Sequence, residues 1–164
     1  REIVPLDKLL AEVIDYLKPQ KRFGGVAIHH AIARGPIPVD ADPTHLQQLL
    51  YNMFNNAADA MIDSPTKEIT VTLKLSPDGK AELTIADTGC GIDAELLKKA
   101  FSERFTTKKT GHGYGLIVCK RIIETYGGTL QVESTVGRGT RISIAFPIHS
   151  DQTQTSTSQI PVPV

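Results

Sequence analysis

Leu49-Leu50-Tyr51-Asn52-Met53-Phe54-Asn55-Asn56-Ala57-Ala58-Asp59-Ala60 carries two superimposed helical patterns. The apolar one begins at Leu46 and runs through Leu49, Leu50, Met53, Ala57 and Met61, on one face of a helix. Asp42-Pro43 supplies an N-cap and a first-turn proline ahead of it, so a long helix is expected from there to about Ile62. The second pattern is polar: Asn52, Asn56 and Asp59 stand at i, i+4 and i+7 and share one stripe on the rim of the apolar face. Asparagine costs a helix interior up to ~0.7 kcal/mol relative to alanine. Asn52, Asn55 and Asn56 cap nothing, so either they form a solvated polar face or they serve a ligand. A row of amide oxygens suits a hard cation such as Mg²⁺, which is commonly shared with phosphates.

Upstream of that helix, Leu6 to Leu17 has helical spacing and ends at Pro19 and Gly24-Gly25, and Val26 to Ala33 reads as a strand followed by a turn. Downstream, Glu68 to Leu75 and Lys80 to Ala86 are β-rich runs joined by Ser76-Pro77-Asp78-Gly79, which predicts an antiparallel hairpin. Asp93 to Ala100 is expected to be a short helix, and Phe101 to Gly115, without apolar periodicity, a mobile loop. Leu116 to Tyr126 is helical up to Gly127-Gly128. Thr129 to Ser134 and Arg141 to Phe146 then close a hairpin around Val136-Gly137-Arg138-Gly139. Residues 1–148 are expected to form one domain, and the Ser-, Thr- and Gln-rich segment 149–164 a disordered tail. Hairpins with helices between them predict a two-layer α/β (α+β) sandwich. Its mixed, mainly antiparallel sheet is covered on one face by about three helices.

Two glycine clusters carry further chemistry. Asp87-Thr88-Gly89-Cys90-Gly91-Ile92 follows a strand and precedes a helix. It is either an Asx-type turn or a pocket where backbone approaches a flat ligand and a carboxylate accepts a hydrogen bond. Gly111-His112-Gly113-Tyr114-Gly115-Leu116 opens a helix, where free N–H groups and the dipole favour phosphate; a hinge is the alternative. Neither cluster is a G-x-x-x-x-G-K-[ST] phosphate loop, and none completes G-x-G-x-x-G. His29, His30 and His45 have no partners at catalytic or metal spacing and are expected to be structural or exposed.

The 164 residues suit one domain, and 18 basic against 18 acidic residues leave no net field for nucleic acid or an anionic membrane. Cys90 and Cys119 have no zinc or disulfide spacing, in keeping with reduced cytosolic thiols. No stretch approaches the roughly 20 apolar residues of a membrane span. A start at Arg1 suggests a soluble piece of a longer polypeptide.

In order and spacing, these pieces resemble the GHKL (Bergerat-fold) superfamily, and within it the ATP-binding catalytic domain of sensor histidine kinases of two-component systems. Asn52 to Ala60 is similar to the N box, Asp87 to Ile92 to the D-x-G-x-G-I box, and Phe101 to Lys108 to the F box. Gly111 to Leu116 resembles the second glycine box and Gly137-Arg138-Gly139-Thr140 the final G-x-G-T. The resemblance covers about Ile3 to Ile148. It implies ATP and Mg²⁺ as ligands, with Asn56 on the metal, Asn52 beside it and Asp59 among the residues that bind the nucleotide. Asp87 would accept the adenine amino hydrogen, supported by Thr140, while Gly89, Gly91 and Ile92 admit the ring. Phe101 to Gly113 would form a lid, with Phe101, Thr106, Thr107 and Lys108 toward the nucleotide and Gly111, His112, Gly113, Tyr114, Gly115 and Leu116 offering backbone contacts. Two departures stand out: Phe101-Ser102-Glu103-Arg104 replaces F-E-P-F, and Asp59 occupies a place where many histidine kinases carry a basic residue. Lys108, Lys109 and Arg104 are the candidate cations for the γ-phosphate.

Three functions fit that resemblance: a kinase module, an ATPase of the gyrase or heat-shock chaperone kind, and an anti-sigma-type serine kinase or binding switch. Asn52 stands where the ATPases have a water-activating glutamate, and an amide cannot be a general base. Transfer is favoured over hydrolysis, with Asn52, Asn56 and Lys108 as the catalytic set. No histidine here lies in a dimerisation-helix pattern. The phosphoacceptor is therefore expected on a separate upstream domain, with a response regulator served indirectly. The isolated domain is expected to be monomeric and cytoplasmic, either on its own or as the cytoplasmic part of a membrane-bound sensor.

Overall fold

The computed structural model describes residues 1–100 and 114–150. Twelve elements follow one another in them. They are β1 (Glu2–Pro5), α1 (Leu6–Leu17), a 3-10 turn (Lys21–Phe23), β2 (Ala27–Ile32), β3 (Pro38–Ala41), α2 (Pro43–Ala60), β4 (Glu68–Leu75), β5 (Lys80–Asp87), α3 (Ala94–Ala100), α4 (Tyr114–Thr125), β6 (Thr129–Thr135) and β7 (Gly139–Pro147).

Strand alternation builds the main sheet. Ile69, Val71 and Leu73 of β4, Ala81, Leu83 and Ile85 of β5, and Ile142, Ile144 and Phe146 of β7 are buried, while the residues between them face outward. The strand order is β2-β4-β5-β7-β6. Only β2 runs parallel to its neighbour, and the other three pairings are antiparallel. Register lines up Val71, Ile85, Ile142 and Val132 in one inner row and Leu73, Leu83, Ile144 and Leu130 in the next. Against these rows pack Leu10, Ile14 and Leu17 of α1, Leu46, Leu50 and Phe54 of α2, and Cys119 and Ile123 of α4, in one continuous core. The two-layer mixed sandwich is thus the observed architecture.

α2 begins as its sequence dictates, with the Asp42 carboxylate accepting from Thr44 N–H at 2.8 Å and Pro43 in the first turn. That bond holds the Asp42 carboxyl below its ordinary range. The helix ends at Ala60 with Met61 as its C-cap, slightly earlier than Ile62.

A second, two-stranded sheet joins β1 to β3, pairing Glu2 with Ala41 and Val4 with Val39. It is an addition to the single sheet expected from sequence. Pro36 and Pro38 read as breakers, but a proline is tolerated at the start of a strand. Behind it, Asp7 accepts from Ile37 N–H at 2.9 Å, and a β-carbon at Gly35 would lie 1.9 Å from the Asp7 carboxylate. The chain's later part is tied back as well, since His149 N–H donates to Pro38 O at 2.8 Å. The rest of the expected tail, 151–164, lies outside the described residues, as does the expected lid over 101–113.

Candidate functional site

Asp87 is the last residue of β5, and its carboxylate is gripped by backbone. Gly89 N–H donates to Asp87 Oδ1 at 2.8 Å and Thr140 N–H to the same oxygen at 3.3 Å. The turn that follows is fastened to three other elements. Thr88 N–H donates to Glu68 O at 3.2 Å, Cys90 N–H to Ala60 O at 2.9 Å, and Ile92 N–H to Ser134 Oγ at 2.7 Å. In return Gly137 N–H donates to Cys90 O at 2.8 Å.

The glycines are there because backbone passes backbone. A β-carbon on Gly91, whose φ is +74°, would come 2.3 Å from Thr135 O. One on Gly139, at φ +130°, would come 2.0 Å from Asp87 O. L-side chains avoid that part of conformational space even where room exists.

The α2 rim is built differently. Met53, Phe54, Ala57 and Ala58 are buried, while Asn52, Asn55, Asn56 and Asp59 are half-buried on the edge of that face. The polar stripe read from the sequence is therefore present. Asn52 hydrogen-bonds the Cys119 thiol of α4, a bond that lowers the thiol's pKa, but burial dominates and pushes it from the ordinary 9.0 up to about 12. Asp59 Oδ1 accepts from the guanidinium of Arg22, which the 3-10 turn brings to the helix from 37 residues upstream. An electropositive group thus reaches Asp59, at the place where many histidine kinases carry a basic residue of their own.

Between the two halves opens a pocket of about 470 Å³, lined by Asp59, Ala60, Ile62, Thr66, Thr88, Gly89, Cys90, Gly137 and Arg138 among others. Of the expected ligand residues it takes in Asp59 and Gly89. Asn52, Asn56, Asp87 and Thr140 are not among its walls. Phe101, Thr106, Thr107, Lys108, Gly111, His112 and Gly113 lie outside the described residues. Tyr114, Gly115 and Leu116 form the first turn of α4, and Ile92 follows the glycine turn directly.

Sequence reasoning missed two groups. Ser134 bridges Ile92 N–H and the Thr140 hydroxyl, the latter at 2.8 Å. Arg22 neutralises Asp59. Counting register back from the Gly137 turn would have placed Ser134 opposite Thr140; nothing local marks Arg22. His29 and His30 are exposed and His29 Nε2 lies 3.6 Å from Glu68, while His45 Nδ1 is 2.5 Å from the Tyr126 hydroxyl. Among the described residues there is no cluster of three His, Cys, Asp or Glu able to cage a metal, and no helix is long and apolar enough to cross a membrane.

A sheet with one covered face, a carboxylate locked at a strand end beside glycine turns, and an asparagine-edged helix define a nucleotide-binding class of domain. Residues 41–150 match the family described as histidine kinase-, DNA gyrase B-, and HSP90-like ATPase, and the chain belongs to that family. It is 37% identical over 114 residues to the sensor histidine kinase ZraS of Klebsiella oxytoca, covering 70% of this chain and 24% of that protein. To the sensor protein FixL of Bradyrhizobium diazoefficiens it is 33% identical over 147 residues, covering 90% of this chain and 29% of that one. The chain thus spans under a third of the length of either relative. Among solved structures it is similar to the mycobacterial sensor histidine kinase MprB, with a TM-score of 0.76 at 27% identity, over 92% of this chain and 99% of the other.

Proposed function

We propose that this chain, over residues 1–148, binds Mg-ATP and delivers the γ-phosphate to a histidine on a separate helical domain, as the catalytic module of a sensor histidine kinase. The observation that carries the reading is Asp87. Its carboxylate is fixed by two backbone donors at a strand end reached by glycine turns, as an acceptor for the amino group of a flat base must be. Gly89 and Gly91, which let the turn lie against Ala60 and Thr135, would thereby admit the ring, and Thr140 supports Asp87.

Mg²⁺ fits the donor set. Asn56 offers a half-buried amide oxygen with Asn52 nearby, and this ion takes few protein ligands when phosphates supply the rest. When bound, it neutralises charge on the transferring phosphoryl group. Asn56 would hold it, and Asn52 would keep that rim against α4. Phe101 to Gly113 would form the lid, with Lys108 near the phosphates, and Gly113 to Leu116 would give backbone contacts. Asn52 is an amide and takes no proton from water, which favours transfer to a positioned acceptor over hydrolysis. The partners are then the phosphoacceptor domain and, through it, a response regulator, with the isolated domain monomeric and on the cytoplasmic side.

The test is reconstitution. Alone, the chain should bind Mg-ATP, hydrolyse it very slowly and not label itself. Adding a phosphoacceptor helical domain should give an acid-labile, base-stable label, because positioning the acceptor supplies several kcal/mol of the barrier. Rapid hydrolysis by the chain alone, abolished in Asn56→Ala, would move it to the ATPase side of the family.

A further inference from the structure

We propose that the Ser134 hydroxyl is a positioning group for base recognition: it sets the direction of the Thr140 hydroxyl proton beside Asp87, so that the site prefers a base edge pairing an amino donor with a ring-nitrogen acceptor. The inference rests on the ATP reading above.

Ser134 on β6 and Thr140 on β7 are direct cross-strand partners. A serine hydroxyl has one proton and two lone pairs. One lone pair is taken by Ile92 N–H at 2.7 Å. The proton has two acceptors in reach, Thr140 Oγ1 at 2.8 Å and Gly139 O at 3.2 Å. Donation to Thr140, over the shorter contact, is the arrangement proposed; with the proton on Gly139 O instead, Thr140 would donate to Ser134 and both nucleotides would respond alike to loss of the hydroxyl. Thr140, nine-tenths buried, then keeps its own proton for another acceptor. Its backbone N–H meanwhile steadies the Asp87 carboxylate. An acceptor and a donor are thereby placed side by side. Adenine presents the complementary pair along its amino edge; guanine, with a carbonyl and a ring N–H there, presents the reverse. Removing the Ser134 proton frees the Thr140 hydroxyl to turn and act as either donor or acceptor.

The experiment measures Mg-ATP and Mg-GTP affinity of the 164-residue chain by calorimetry for wild type, Ser134→Ala, Ser134→Cys and Ser134→Thr, with a melting curve for each. Ser134→Cys keeps the shape with a poor donor, so it serves if Ser134→Ala does not fold. Loss of the hydroxyl should weaken ATP about tenfold while GTP changes by less than about twofold. Ser134→Thr should keep the preference. Equal weakening of ATP and GTP, or no change in either, would overturn the positioning role and leave only a cross-strand pair. A wild-type chain that bound no Mg-ATP would overturn the ATP reading itself, and with it this one.

Discussion

Asp87 sits in a turn whose amides at Thr88, Cys90 and Ile92 are each spent on an acceptor in a neighbouring segment and whose Gly89 amide holds Asp87 itself, whereas Asn52, Asn56 and Asp59 ride on the rim of a helix that would form without them. The first half of the site is inseparable from the fold. The second is decoration on a helix whose apolar face does the packing. Substitutions in the turn should therefore cost stability, and substitutions on the rim should cost ligand.

The sharpest way to break that contrast is Gly139→Ala. Its β-carbon would meet Asp87 O at 2.0 Å with φ at +130°, and both partners are backbone, so neither yields. A loss on the order of 3 kcal/mol or more is expected from strain plus overpacking, read by chemical denaturation. A stability within 1 kcal/mol of wild type would show the turn to be looser than its hydrogen bonds imply.

Asn56→Ala should do the opposite. Helix propensity predicts unchanged or slightly raised stability, by up to ~0.7 kcal/mol. Mg-ATP affinity should fall by about 1.5–3 kcal/mol, and metal-free ATP affinity much less. Equal losses with and without Mg²⁺ in paired titrations would remove Asn56 from the metal.

Asp87→Asn lies between the two. The amide keeps the volume but turns a donor toward the base, so ATP affinity should drop by about 1–3 kcal/mol. Calorimetry showing wild-type affinity would separate Asp87 from the ligand.

The smallest effect tests the packing under the rim. Burial raises the Cys119 thiol to about 12, so between pH 9 and that value the unfolded chain has lost a proton that the folded chain keeps. Stability present below pH 9 should then decline as pH rises, by about 1.4 kcal/mol per pH unit from this group. Denaturation midpoints of wild type and Cys119→Ala from pH 8 to 10.5 isolate it; parallel curves would mean that the thiol is not held neutral.

The two halves also differ in how they are written in the sequence. The α2 rim was legible because a helix displays its neighbours at i+4 and i+7, and the Ser76–Gly79 turn announced its hairpin through local chemistry. What was not legible depends on distant pairing. β1 and β3 are four residues each and exist because Glu2 meets Ala41. Arg22 finds Asp59 across 37 residues. Ser134 is one more polar residue in an alternating strand until register sets it opposite Thr140. The glycine turn fell in between: its residues marked a close approach, but which backbone approached could be seen only in three dimensions.

The bond from Thr140 to Asp87 spans 53 residues and crosses the junction of β5 with β7. The β4–β5 and β6–β7 hairpins are each local, so they close at little loop entropy, while the β5–β7 seam between them must close a long loop. A ligand that gripped Asp87 on one hairpin and leaned on Thr140 of the other would act as a clasp across that seam. Occupancy at a hundred times its dissociation constant adds about 2.7 kcal/mol to the folded state. Amide protons on either side of the seam should then exchange more slowly as nucleotide is added, which would make the cell's ATP supply part of what keeps the sheet closed.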